Sequence, residues 1–360
     1  MAALESVGSL RGHKAPVVSV CLASAGDVAL TSSEDGTVRL WDLRSRRATR
    51  AVLAAAAAAA EPGSLGCCAF QRLAEPTSGV LVACGLRLCA FDLRGSDEIL
   101  VRSPLASTAT GSDEVNDFAV SPDGQTVAVP YDDGEVELLA ANDLSSLRRL
   151  RGGHRNIAGV ARFRSSGELL TGGFDEQIAL WDASSGKLRS RLEVSELVPP
   201  DVDDESASGL QICNPPYVLS LAAGGPGDLV GVGLGSGAIL ALPGGPKRHR
   251  GPAPWFVRCA HAAATDCVAW LPGTALLASA GRDAALRLWH CGAAAGVKPG
   301  GRGKRGAGGY EGGGEVAGSG EAVAAAELQL PGKLNSLAAS PDVLLAAGVE
   351  PEVTLLQLRK

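Results

Sequence analysis

The chain has 360 residues, 46% of them hydrophobic but only 4% aromatic, and it carries 47 Gly and 20 Pro. So many helix breakers exclude a long helical bundle and suit short strands joined by tight turns. A formal net charge of −6 argues against a protein that coats nucleic acid. The nine Cys include no Cys-x-x-Cys, which reads as reduced intracellular thiols rather than a disulfide framework. The opening MAALESVGSL has Glu5 and no basic region before an apolar run, which predicts no signal peptide. No apolar stretch approaches the roughly 18 residues that a membrane span needs. The expected location is therefore intracellular, in nucleus, cytoplasm or both.

Taken in chain order, a strand-like segment over residues 4–10 comes first. A unit at residues 28–44, VALTSSEDGTVRLWDLR, follows it, and closely similar units lie at 168–184 (ELLTGGFDEQIALWDAS) and 276–292 (LLASAGRDAALRLWHCG). Each is an apolar strand, a turn with Asp and an alternating strand ending at Trp. Asp35, Asp175 and Asp283 stand six residues before Trp41, Trp181 and Trp289, and a Gly-His or Ala-His pair comes earlier, at His13, His154 and His261. Weaker copies fill the gaps at 81–92, 127–140, 229–242 and 344–358, with Phe91, Leu139, Leu242 and Leu356 in the Trp slot. The spacing is about 40 to 50 residues, stretched twice by insertions, which is the period of four-stranded propeller blades.

Ser-Pro-Asp sequences at 121–123 and 340–342 mark turns between the first two strands of their units. The polyalanine run at 54–60 could be helical, although a low-complexity loop is the favoured reading. Residues 193–214, with Glu193, Glu196, Asp201, Asp203, Asp204 and Glu205, read as an acidic solvated loop. Residues 292–320, Gly-rich with Lys298, Arg302, Lys304 and Arg305, read as a basic disordered insertion. The last unit ends on its third strand, so the segment at 4–10 is expected to supply the missing outer strand and close the ring.

The Gly-His, Asp and Trp-Asp elements resemble those of the WD-repeat family over nearly the whole chain. The resemblance implies an all-β fold, a single seven-bladed WD-repeat β-propeller over residues 1–360 closed by the N-terminal strand. It also implies a structural tetrad within a blade, here His13, Ser32, Asp35 and Trp41. Gly172 and Ala280 in the Ser slot leave the tetrads of His154, Asp175 and Trp181 and of His261, Asp283 and Trp289 incomplete. Buried in such a network, these His and Asp residues are poor catalytic candidates.

Residues 29–44, ALTSSEDGTVRLWDLR, further resemble the sixteen-residue box of substrate receptors in cullin-4 RING E3 ubiquitin ligases. Those receptors dock on the damaged-DNA-binding protein 1 adaptor. The resemblance puts adaptor contacts at Trp41, Asp42 and Arg44, and at Phe91, Asp92 and Arg94 one unit on. An exposed Arg ending such a box is permanently charged and makes forked hydrogen bonds. A general WD-repeat scaffold for a nuclear or cytoplasmic complex, unrelated to ubiquitination, is the alternative.

Other motifs carry less. Gly301–Gly306 matches G-x-G-x-x-G, but without the strand and helix a dinucleotide site requires. Cys67 and Cys68 are adjacent and belong on opposite faces of a strand. Cys259, His261 and Cys267 lack a fourth ligand at zinc-like spacing, so no metal and no cofactor is expected. The basic residues at 247–250 read as a solvated loop, a nuclear-import signal or a weak phosphate contact, and no specific nucleic acid is expected without interleaved aromatics. The sequence therefore predicts a non-enzymatic, monomeric propeller whose partners are proteins, among them an unidentified substrate.

Overall fold

The computed structural model describes residues 3–23, 25–57, 65–71, 78–94, 99–110, 115–197, 215–243, 255–291 and 324–359. In these the units become seven antiparallel sheets, numbered here as blades 1 to 7 in chain order. Blade 1 illustrates the pattern: strands Val17–Leu22, Val28–Ser33, Val38–Asp42 and Arg47–Val52 run from the centre outward. The first strands of neighbouring blades touch one another all the way round, from blade 1 through blade 7 and back, so they line the axis of a closed propeller.

Strand alternation explains where the core lies. Successive side chains leave opposite faces of a blade, and both faces are covered by neighbours, so the second and third strands are apolar nearly throughout. Seven apolar clusters result, each filling the space between two adjacent blades. Cys67 and Cys68 separate as alternation requires, Cys68 joining the cluster of blades 1 and 2 while Cys67 packs against that of blades 2 and 3. Burial pushes the Cys68 and Cys291 thiols up to about 12, so both stay protonated.

The ring is closed by the strand Ala3–Arg11, which pairs antiparallel with Glu352–Arg359, Leu4 opposite Leu358 and Leu10 opposite Val353. Leu10 is buried in the cluster that blade 7 shares with Trp41 of blade 1. A strand also passes between blades 1 and 2. After the third strand of blade 2, Arg87–Asp92, the chain crosses back and lays Leu100–Val101 parallel to Ala51 and Val52 at the outer edge of blade 1. It then returns to form the outer strand of blade 2, Ala106–Ala109.

Two readings need adjustment. Ala54–Ala57 form one helical turn rather than a loop, with Ala54 and Ala55 buried against blade 2. Ala has the best helix propensity, and here a small side chain fits between blades. Residues 58–60 lie outside the described residues. Of the acidic segment 193–214, Glu193 ends the outer strand of blade 4 and Val194–Glu196 make a 3-10 turn with Val194 buried. Residues 198–214, the Gly-rich segment 292–320 and the basic residues 247–250 lie outside the described residues.

Closure through Leu10 is testable. Leu10→Ala should cost about 2–5 kcal/mol of unfolding free energy, the usual loss for a fully buried Leu. Urea denaturation measures it, and a loss under about 0.5 kcal/mol would show that the closing strand does not hold the ring.

Candidate functional site

The residues expected to carry function fall at two ends of the blades. At one end, the turn between second and third strands holds the Asp of each Trp-bearing blade. In blade 1, His13 Nδ1 lies 2.9 Å from Asp35 Oδ2 and Nε2 lies 2.7 Å from Thr31 Oγ1, to which Trp41 Nε1 donates at 2.8 Å. Blade 4 repeats this with His154, Asp175, Thr171 and Trp181, at 3.0, 2.8 and 2.9 Å. Blade 6 repeats it with His261, Asp283, Ser279 and Trp289, at 2.9, 2.7 and 2.8 Å.

The hydroxyl is therefore Thr31, and Ser32 is not a tetrad member. The fourth and sixth tetrads are complete rather than lacking a hydroxyl at Gly172 and Ala280. Register gives the reason. Trp41 pairs with Ala29, so Thr31 is on the indole's face, while Ser32 pairs with Val38 on the opposite face. Ser32 Oγ instead donates to Gly66 O of blade 2 at 2.6 Å. Likewise Trp181 pairs with Leu169 and Trp289 with Leu277, which puts Thr171 and Ser279 on the indole face. Counting parity back from Trp would have found all three hydroxyls. A neutral imidazole with its proton on Nδ1 lets donation run from indole to hydroxyl, hydroxyl to Nε2 and Nδ1 to carboxylate.

The carboxylates are well supplied. Burial alone would raise the Asp35 carboxyl, but hydrogen bonds from His13, the Thr37 hydroxyl and amide and the Lys14 amide outweigh it and hold Asp35 well below the usual range. Asp283 is also held low, burial being opposed by Arg287 and His261. Burial, reinforced by the Arg287 charge, holds His261 below its ordinary value against the pull of Asp283. Both ring nitrogens of all three His are engaged in this way, so the network binds the blade together and leaves His261 no lone pair for a metal.

Packing reinforces the network. A Cβ at Gly153 would run into the Trp181 indole, and one at Gly12 would lie 3.3 Å from the Trp41 ring and 2.7 Å from Arg39. A Gly before His thus lets the chain pass over the indole.

At the other end lie the candidate partner contacts. Trp41 and Phe91 are buried in the clusters of blades 7 and 1 and of blades 1 and 2, so neither ring is offered to a partner. Asp42 accepts the Ser45 amide at 2.9 Å and Asp182 accepts the Ser185 amide at 2.9 Å, so the Asp of Trp-Asp caps the turn to the outer strand. That amide bond holds the Asp42 carboxyl below its usual range. Arg44 is exposed. Arg94 is also exposed, but its guanidinium grips Asp92 with two bonds, Nε to Oδ1 at 3.0 Å and Nη2 to Oδ2 at 2.7 Å. This end of blades 1 and 2 therefore presents two Arg side chains, one already held by a carboxylate of its own turn.

Two predictions follow from the tetrads. Thr171→Val keeps the shape but orphans the Trp181 N–H and His154 Nε2, and should cost at least about 2 kcal/mol by urea denaturation, given about 1–3 kcal/mol for each unsatisfied buried group. A cost below about 0.5 kcal/mol would contradict the network. For His261, the folded value is lower than the unfolded 6.5, so the unfolded chain binds more protons between the two. Its stability contribution is complete above about pH 6.5 and is lost as pH falls through that window. Unfolding free energies at pH 7.5 and 5.5 should therefore differ more in wild type than in His261→Gln; equal differences would refute this.

Residues 4–42 and 255–290 match the profile of the WD domain, G-beta repeat. Among curated proteins, the chain is 22% identical over 240 residues to WD repeat-containing protein 53 homolog of Dictyostelium discoideum, covering 64% of this chain and 63% of that protein. It is 28% identical over 195 residues to WD repeat-containing protein 37 of Homo sapiens, covering 49% and 35%. It is 29% identical over 180 residues to the angio-associated migratory cell protein of Homo sapiens, covering 47% and 38%. The chain thus spans less than two thirds of the length of these relatives. Matched repeats, seven blades and three complete tetrads show a seven-bladed β-propeller in which WD repeats are present.

Proposed function

We propose that this protein-interaction propeller is a substrate receptor of a cullin-4 RING E3 ubiquitin ligase and docks on the damaged-DNA-binding protein 1 adaptor. The observation that supports the reading is the pair of exposed arginines, Arg44 and Arg94, each ending a buried-aromatic, Asp-capped strand on adjacent blades. The parallel strand Leu100–Val101 ties those two blades together, so the pair is offered at a fixed spacing. The mechanism is proximity: one end of the propeller holds the adaptor, another surface holds an unidentified protein substrate, and the ligase's ubiquitin-carrying enzyme supplies the chemistry. The propeller's own side chains take no catalytic part, and the reading places it in the nucleus or cytoplasm.

A second reading, a WD-repeat scaffold unrelated to ubiquitination, draws on Arg94. Its fork is already satisfied by Asp92, so an adaptor carboxylate must replace that bond rather than add to it.

The experiment is a pull-down of purified adaptor by wild type and by Arg44→Glu/Arg94→Glu, with circular dichroism confirming that both are folded. The receptor reading expects binding by wild type and at least a tenfold loss in the variant. Folded wild type that retains no adaptor would reject it in favour of the scaffold.

A further inference from the structure

Blades 1 and 6 both place an arginine two residues before the tetrad Trp, Arg39 and Arg287. Register puts each on the indole face, because Arg39 pairs with Thr31 and Arg287 with Ser279, the tetrad hydroxyls. In blade 6 the arginine is held by two carboxylates. Arg287 Nη1 donates to Asp283 Oδ2 at 2.8 Å, and Nη2 donates to Glu327 Oε1 at 2.8 Å. Glu327 stands directly opposite Arg287 on the outer strand.

In blade 1 neither carboxylate serves the arginine. Asp35 is supplied by the Thr37 hydroxyl at 2.6 Å, whereas blade 6 has Ala285 at the position of Thr37. On the outer strand, Ala51 stands opposite Arg39 where Glu327 stands opposite Arg287. Glu352, on the strand that pairs with the closing strand, is held by Arg11 at 3.1 Å.

Arg39 therefore makes no ion pair and no hydrogen bond among the described residues, and its Nε is buried without a partner. The side chain is half-buried and lies against the closing end of the ring at Gly12, where a Cβ would come within 2.7 Å of Nη1. A guanidinium keeps its charge at every pH at which proteins fold. Partly withdrawn from water and given no acceptor, it carries a desolvation cost that a carboxylate would offset.

We propose that Arg39 anchors an acidic side chain of a protein partner, whose carboxylate takes the part that Glu327 takes in blade 6. Blade 6 sets the chemistry: one carboxylate fits beside an arginine at this position, with its oxygen on Nη2. The planar fork favours a carboxylate because it can give two parallel hydrogen bonds. Partial burial makes such a pair stronger than a fully exposed one and less sensitive to salt. The methyl group of Ala51 competes for none of these bonds.

The test uses the full chain and a fluorescein-labelled hexapeptide of alternating Ser and Glu, read by fluorescence anisotropy. No adaptor is present, so the outcome is independent of the adaptor reading. Wild type should bind this peptide, and the Ser-Gln peptide should bind at least about tenfold more weakly. Arg39→Gln should weaken the Ser-Glu peptide by the same factor and leave the urea midpoint unchanged, since it breaks no bond within the fold. Ala51→Glu supplies the blade 6 carboxylate within the chain, so it should raise the urea midpoint and also weaken the peptide at least about tenfold. The proposal is overturned if wild type ignores the Ser-Glu peptide, if the Ser-Gln peptide binds as well, or if either variant binds like wild type. Inorganic phosphate that displaces the peptide at lower concentration than acetate also overturns it, by making Arg39 a phosphate site.

Discussion

The hydrogen-bonded chain from indole through hydroxyl and imidazole to carboxylate is the interaction on which the blades depend. It ties the second and third strands, the turn between them and the loop entering the blade, and it does so three times, in blades 1, 4 and 6. In the other four blades the hydroxyl position is Val82, Val129, Val232 or Ala346, and the Trp slot is Phe91, Leu139, Leu242 or Leu356. Without a hydroxyl to receive it, an indole N–H there would be buried unsatisfied, so Phe and Leu fill the same inter-blade space without polar atoms. The two kinds of blade are alternative solutions to one packing problem.

The blade period, the seven units and the ring closure were legible because alternation and turn chemistry repeat locally. Even Leu139, six residues after Asp133 and with no Trp to mark it, falls on its third strand opposite Val127. The tetrad hydroxyl was misplaced by one residue because Ser32 looked the better side chain, whereas the face it occupies is fixed by pairing with the third strand. The crossover of Leu100–Val101 to blade 1 was not legible: two apolar residues between turns have no periodicity, and what holds them is a long-range parallel pairing. Nor could the sequence separate Arg44 from Arg94. Both follow an aromatic-Asp-Leu run, but only in blade 2 does the Arg turn back on that Asp.

The same organisation separates structure from recognition. At the tetrad end of the Trp-bearing blades the His and Asp groups are satisfied internally, and at the Trp-Asp end the rings are buried and the carboxylates cap turns. On the proposed reading, the contacts with a partner are the arginines just beyond, on blades 1 and 2, Arg94 exchanging its bond to Asp92 for one to the partner. A propeller of this kind contributes geometry: rigid blades fix the distance between charged contacts, which lowers the ordering cost of binding.

The measurement that tests this most directly is hydrogen–deuterium exchange of the full chain with and without purified damaged-DNA-binding protein 1. The account predicts added protection in the turns following Trp41 and Phe91, at residues 43–46 and 92–94, with none in the opposite turns at residues 34–37 and 174–176. Protection confined to those opposite turns, or absent from both ends at saturating adaptor, would contradict it.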